Sequence, residues 1–173
     1  MLVKVSSAQG RCPNFSLSVN LQLLCRVSEL WERILAKWNR EGLPLDAMEL
    51  CGGGEVLDAR FKLADYSSAK ELKIIIRPKT LPCIVFSLKP APNGGYNATR
   101  SSCMMPTDAL IKDLAGRLPH GRLVDCHGKP FSLQESMWKL GLFNPDQSVF
   151  HMPESIEACG ALSTGDEPLY VPR

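Results

Sequence analysis

Leu72-Lys73-Ile74-Ile75-Ile76-Arg77 reads as a strand with two unlike faces. Side chains alternate across a strand, so Leu72, Ile74 and Ile76 share one face while Lys73, Ile75 and Arg77 share the other. The first face is apolar throughout and needs a cover. Toward the N-terminus, Met48-Glu49-Leu50-Cys51 is another strand, and Gly52-Gly53-Gly54 a turn after it. Further back, Val27, Leu30, Trp31, Ile34, Leu35 and Trp38 follow i, i+3, i+4 spacing, which gives a helix with one wide apolar face. Ser28 is its candidate cap, and Gly42 with Pro44 behind it marks the expected stop. At the start of the chain Val3 and Val5 alternate with polar neighbours, and Phe15, Leu17 and Val19 alternate again. With Gly10 to Asn14 as a turn region, these two runs make a hairpin. A hairpin cannot bring the last strand beside the first. Laying the helix across a mixed sheet whose centre pairs both ends of the segment does, and it buries the helix face. The expected core is Val3, Val5, Leu17, Leu30, Ile34, Leu50, Leu57, Leu63, Ile74 and Ile76.

That arrangement is a β-grasp, and ordered motifs point the same way. Glu41-Gly42-Leu43-Pro44-Leu45-Asp46 is similar to the EGIPPD segment after the helix of ubiquitin. Gly54-Glu55-Val56-Leu57-Asp58 and Leu63-Ala64-Asp65-Tyr66 resemble its GKQLED and LSDY stretches at the same internal spacing. Lys70-Glu71 and Leu72 to Arg77 resemble the end of that fold. Residues 1–79 thus resemble the ubiquitin-like family, with a longer first hairpin and helix region and a shorter loop before the last strand. Conjugation by that family requires an exposed Gly-Gly end. Here Arg77-Pro78-Lys79-Thr80 stands at the matching place, and Val171-Pro172-Arg173 closes the sequence, so a modifier that cannot be conjugated is expected. The positions that match the family's apolar recognition patch are Ala8, Cys51, Lys73 and Ile75, where ubiquitin has leucine, isoleucine, histidine and valine. Only Ile75 keeps a bulky apolar group. This face is read either as solvated surface or as a binding site of different chemistry.

Residues 80–153 repeat the plan more faintly. Cys83 to Leu88 is a strand, Pro90 to Gly95 a turn-rich loop and Tyr96 to Met105 a weak strand. Pro106-Thr107-Asp108 suits a helix start with Thr107 as cap, followed by the stripe Leu110, Ile111, Leu114 and Leu118. Gly121 to Asp125 is a strand and His127 to Pro130 a turn. Ser132 to Ser136 has a capping-box pattern leading to Trp138, Leu140 and Leu142, and Ser148 to Met152 closes as a strand. The expected fold class is therefore α+β: two tandem ubiquitin-like β-grasp domains, 1–79 and 80–153, joined by a stiff linker at Pro78 to Pro82. An extended tail, 154–173, follows. It lacks a repeating apolar pattern and carries Gly160, Gly165, Pro168 and Pro172, so alone it is expected to be disordered, and ordering it needs a surface, offered by its own domains, a partner or a crystal neighbour. Leu169-Tyr170-Val171, held between Pro168 and Pro172, is its best anchor.

Composition removes several function classes. Hydrophobic residues make up 45% and charged residues 22%, ordinary values for a globular chain. The net charge of +2 is too small to imply nucleic acid or an anionic membrane, and basic residues are interleaved with acids. No apolar run approaches the roughly 20 residues of a membrane span. Met1 to Val5 alternates like a strand and lacks the layout of a signal peptide. Seven cysteines stand at wide, irregular intervals with no CxxC pair, which argues for buried thiols in a reducing compartment and against zinc. A cytoplasmic address follows.

Catalytic signals are poor. His120, His127 and His151 are scattered, and Cys126-His127, if in a strand, would point to opposite faces. Gly52-Gly53-Gly54 lacks the following Lys-Ser/Thr of a phosphate loop, and Asn93-Gly94-Gly95 reads as a turn. Asn97-Ala98-Thr99 matches a glycosylation sequon that a cytosolic chain never presents to that machinery. No enzyme, metal, cofactor or small-molecule substrate is expected. Of Trp31 and Trp38, one at the rim of the helix face would anchor an interface if exposed. The expected role is a structural or protein-interaction subunit of a larger cytoplasmic or cytoskeletal assembly, an axonemal or ciliary complex being one such home. Its expected protein-binding residues are Cys51, Lys73, Ile75, Leu169, Tyr170 and Val171. The alternative is a ubiquitin-pathway adaptor that engages a proteasome or segregase receptor. No nucleic acid or membrane partner is expected.

Overall fold

A computed structural model describes residues 1–8, 14–38, 43–92 and 96–153. The expected turn at Gly10 to Pro13, the stop at Gly42, the Asn93-Gly94-Gly95 turn and the whole tail with Leu169, Tyr170 and Val171 lie outside the described residues. The chain is mixed α and β, with two mixed sheets and few helices. It divides into two compact units, Met1–Lys79 and Thr80–Arg173.

In the first unit five strands, β1 (Leu2–Ser7), β2 (Ser16–Asn20), β3 (Met48–Gly52), β4 (Glu55–Val56) and β5 (Glu71–Pro78), form a sheet of order β2-β1-β5-β3-β4. β1 and β5 run parallel at its centre, with Val5 opposite Ile74, so both ends of the segment meet as the buried helix face requires. α1 (Val27–Leu35) turns Val27, Leu30 and Ile34 into the core. All ten expected core residues are buried, together with Met48, Leu72 and Trp38. α1 stops before Trp38, whose ring packs 5.2 Å from Phe15 and whose Nε1–H donates to the Leu43 carbonyl at 3.2 Å. Ser28 is not the cap. It is the second helical residue, and the Glu29 carboxylate accepts the N–H of Arg26 at the N-cap. Gly53 and Gly54 supply the turn after β3 with φ of 62° and 92°, a region closed to most side chains.

The second unit has four strands, β6 (Thr80–Pro90), β7 (Tyr96–Pro106), β8 (Gly121–Val124) and β9 (Val149–Pro153), in the order β7-β6-β9-β8. β6 and β9 are the parallel pair. Thr80-Leu81-Pro82 pairs with Met104 to Pro106, so this stretch is strand and not linker. β7 is far from weak, being paired with β6 over all eleven of its residues. α3 (Ile111–Ala115) starts later than expected: Leu110 is the N-cap, its N–H bound by the Asp113 carboxylate at 2.8 Å, and Thr107 is buried upstream. Trp138 to Leu142 forms turns and no helix, because Gly141 leaves the helical region at φ 71°. Half of the expected capping box is realised, the Glu135 carboxylate accepting the Ser132 N–H at 2.8 Å.

One hydrogen-bond device recurs in both units. The first amides of a helix lack partners within it. In the first unit Val27 and Ser28 donate to the carbonyls of Phe61 and Ala59, and Leu63, which opens α2 (Leu63–Tyr66), donates to Cys25. In the second, Ile111 and Lys112 donate to Glu135 and Leu133, and Met137 donates to Ala109. Each helix start is thus tied to a later loop by the same three bonds.

Candidate functional site

The outer face of the first sheet holds the positions expected to bind. Register places Cys51 beside Ile75 across the β3–β5 ladder, with Ser6 on the other side of Ile75. Lys73 is exposed two residues earlier on the same face and pairs with Lys4. Ala8 follows β1, its N–H bonded to the Ile76 carbonyl. The structure thus brings Cys51 and Ile75 into contact range, with Lys73 along the strand. Ile75 is 48% exposed and is the sole large apolar group among these positions. Ion pairs flank it, Arg77 to Glu49 at 2.7 Å and Lys4 to Glu71 at 2.9 Å. Burial pushes the Cys51 thiol up, against the pull of Arg77 and with the help of Glu49. Such a thiol is held protonated and is not an activated nucleophile.

A second surface lies between α1 and the β3–β4 edge. The apolar face of α1 is wider than the sheet beneath it. Val27, Leu30 and Ile34 enter the core, whereas Trp31 and Leu35, one turn apart, form a second stripe. Leu35, expected on the buried face, is 64% exposed. Trp31 is half-buried and is the rim tryptophan that the helix pattern anticipated. Opposite stand Leu45 and Val56, the latter 50% exposed, and the groove between holds about 490 Å³. Glu32, Asp46 and Glu49, the last with its carboxylate bound by Arg77, also line it, with Lys79, whose Nζ donates to the Asp46 carbonyl at 2.6 Å. Nothing in the helical period distinguishes a core stripe from an open one. The signal was the width of the apolar arc, which the sheet cannot fully cover.

In the second unit Cys126 and His127 lie in the turn after β8, so the opposite-faces argument does not apply to them. The Asp125 carboxylate accepts the backbone N–H groups of His127 and Lys129, which fixes the turn. Cys83 is buried opposite Cys103, and burial, with Cys103 beside it, pushes its thiol up to about 12. His151 is buried with Nε2 3.0 Å from the Pro119 carbonyl. Among the described residues no group of His, Cys, Asp and Glu is placed to hold a metal, and no helix is long and apolar enough to cross a membrane. No protein-family model matches the chain, and no curated protein matches it.

Proposed function

We propose that this chain is a non-conjugable ubiquitin-like protein of two β-grasp units that serves as a structural, protein-binding subunit of a larger assembly. The groove beside Trp31 and Leu35 carries this reading. It offers one aromatic and two exposed aliphatic side chains on a helix–sheet frame, the kind of side chain that interface cores favour. The ubiquitin-like assignment is supported by the central parallel strand pair in each unit, by a helix laid on each sheet, and by the repeated hydrogen-bond device. At the end of β5 the chain runs on through Lys79 into β6, where conjugation would need a free Gly-Gly.

The test is affinity purification from native cells with the full chain and with Leu35→Lys/Val56→Lys. Both changes are at exposed positions, so the melting temperature should hold while partners are lost. An unchanged partner set would remove the groove from the proposal. A second reading, the ubiquitin-pathway adaptor, is favoured by the exposure of Ile75 on the sheet face. Ile75→Asp should then abolish binding to proteasome or segregase receptors, and no binding by the wild type removes the adaptor.

A further inference from the structure

Cys83 of β6 and Cys103 of β7 stand directly opposite each other in the antiparallel ladder. Opposed side chains leave a sheet on the same face, and both cysteines belong to the cluster that packs toward α3. Opposed residues of an antiparallel pair have Cα atoms about 4.5–5.5 Å apart. A disulfide spans about 4.4–6.8 Å, so the pair meets the backbone spacing that a bridge requires. Both cysteines are free thiols. Of the other described cysteines, Cys51 pairs with Ile75 and Val56, Cys25 precedes α1, and Cys126 lies in the turn after β8, so none of them has a cysteine opposite.

The two thiols differ in access. Cys103 is half-buried, with its Sγ 3.7 Å from the Met105 Sδ. Its strand β7 is at the edge of the sheet and, among the described residues, is paired with β6 alone. Cys83 is buried in the neighbouring strand, and that burial, with Cys103 beside it, pushes its thiol up to about 12. A thiol held protonated is a poor nucleophile, so a reagent from solution meets Cys103 first.

We propose that Cys83 and Cys103 form a reversible redox modification site, which takes a small-molecule disulfide as oxidant and closes to a bridge between β6 and β7. The Cys103 thiolate attacks one sulfur of the small disulfide, RSSR. The RS–SR bond breaks, a Cys103–SR bond forms, and RS⁻ leaves with the electron pair. The Cys83 thiolate then attacks the Cys103 sulfur, which forms the Cys83–Cys103 bond and expels a second RS⁻. The two protons given up by the protein thiols end on the two leaving thiolates. Two protein thiols are oxidised, and one RSSR is reduced to two RSH. Because Cys83 resists ionisation, the second step is the slow one and the mixed disulfide on Cys103 accumulates. The bridge fastens the edge strand to its neighbour, and excess RSH reverses it.

Glutathione buffers test this on the full wild-type chain. The protein is incubated without denaturant at graded ratios of glutathione disulfide to glutathione, sampled over time, quenched in acid, and mapped by proteolysis and mass spectrometry. A glutathione adduct should appear first on Cys103. A Cys83–Cys103 cross-link should follow, in severalfold excess over any other cysteine pairing, and added glutathione should remove it. In Cys83→Ser the adduct on Cys103 should persist without closing. No Cys83–Cys103 link at any ratio, or a link no commoner than other pairings, would overturn the proposal. Amide hydrogen exchange across β7 should slow severalfold in the bridged chain, with β1 to β5 unchanged. Equal exchange across β7 in both states would overturn the fastening of the edge strand.

Discussion

Ile34 and Leu35 are adjacent in α1 and have opposite surroundings, Ile34 having no exposed surface and Leu35 being 64% exposed. Replacing each with alanine removes the same amount of hydrocarbon, so a difference between them measures burial alone. For Ile34→Ala, three carbon groups at about 0.8 kcal/mol each give roughly 2.4 kcal/mol. Incomplete collapse around the vacated space adds to this, up to about 5 kcal/mol. At Leu35 about a third of that transfer value applies, under about 1 kcal/mol, and leucine and alanine differ little in helix propensity. At about 4–8 °C per kcal/mol for a unit of this size, Ile34→Ala should lower the melting temperature by at least about 10 °C. Leu35→Ala should lower it by about 3–7 °C. Trp31 and Trp38 belong to this unit, so a Trp138→Phe background lets tryptophan fluorescence follow it selectively. Equal losses at both positions would refute the division of α1 into a core stripe and an open stripe, and the groove with it.

Gly121→Ala should destabilise the second unit by about 1–3 kcal/mol, as overpacking does. A Cβ there would overlap the Met152 carbonyl oxygen and approach the His151 Nε2 to 2.7 Å. Gly116→Ala, where the nearest atom stands at 3.4 Å, is the control and should be neutral or mildly stabilising in urea unfolding. Cys83 gives a pH signature. Its folded value of about 12 lies above the ordinary thiol value, so the stability it provides is complete below that ordinary value. As pH rises past it the unfolded thiol ionises first, and stability falls until the folded value is reached. Unfolding midpoints should therefore drop above about pH 9, less so in Cys83→Ala, and equal alkaline loss in both chains would contradict the assignment.

Strands were legible because a period of two survives in a half-buried sheet: Leu72, Ile74 and Ile76 against Lys73, Ile75 and Arg77 foretold the buried and exposed faces of β5. The parallel centre followed from one requirement, that the apolar face of α1 be covered. The short helices were less legible. At α3 the apolar stripe from Leu110 to Leu118 suggested more helix than forms, since β7 holds the chain in the sheet through Pro106 and Gly116 follows the last helical residue. Capping was misplaced for a single reason. Ser28 and Thr107 were expected as caps, whereas Arg26 and Leu110 stand at those helix starts and Glu29 and Asp113, three residues on, accept their N–H groups; Lys62 before α2 is satisfied in the same way by Asp65. Spacing pointed to a rim tryptophan but not to the groove beside it, which is assembled from Trp31, Leu45 and Val56, distant in sequence.

Two surfaces of the first unit compete as the interface, and magnitudes separate them. Association costs about 4–15 kcal/mol in lost freedom before any contact is counted. Fully burying one aliphatic side chain contributes about 1.5–3 kcal/mol. On the sheet face Ile75 has Val56, in register through Cys51, as its exposed apolar neighbour, and a partner seated there must also strip water from the Arg77–Glu49 and Lys4–Glu71 pairs, whose surface positions give them little to return. The groove presents Trp31, Leu35 and Val56 together, with Glu32 and Asp46 at its edge and the Glu49 carboxylate shared with the Arg77 pair of the sheet face. Scaled to the surface each still exposes, the three groove side chains together only approach the lower end of the association cost, and Ile75 alone falls further short. A partner that binds this unit by apolar contact therefore gains most at the α1 groove, and the change that should weaken it most is at Leu35, not at Ile75.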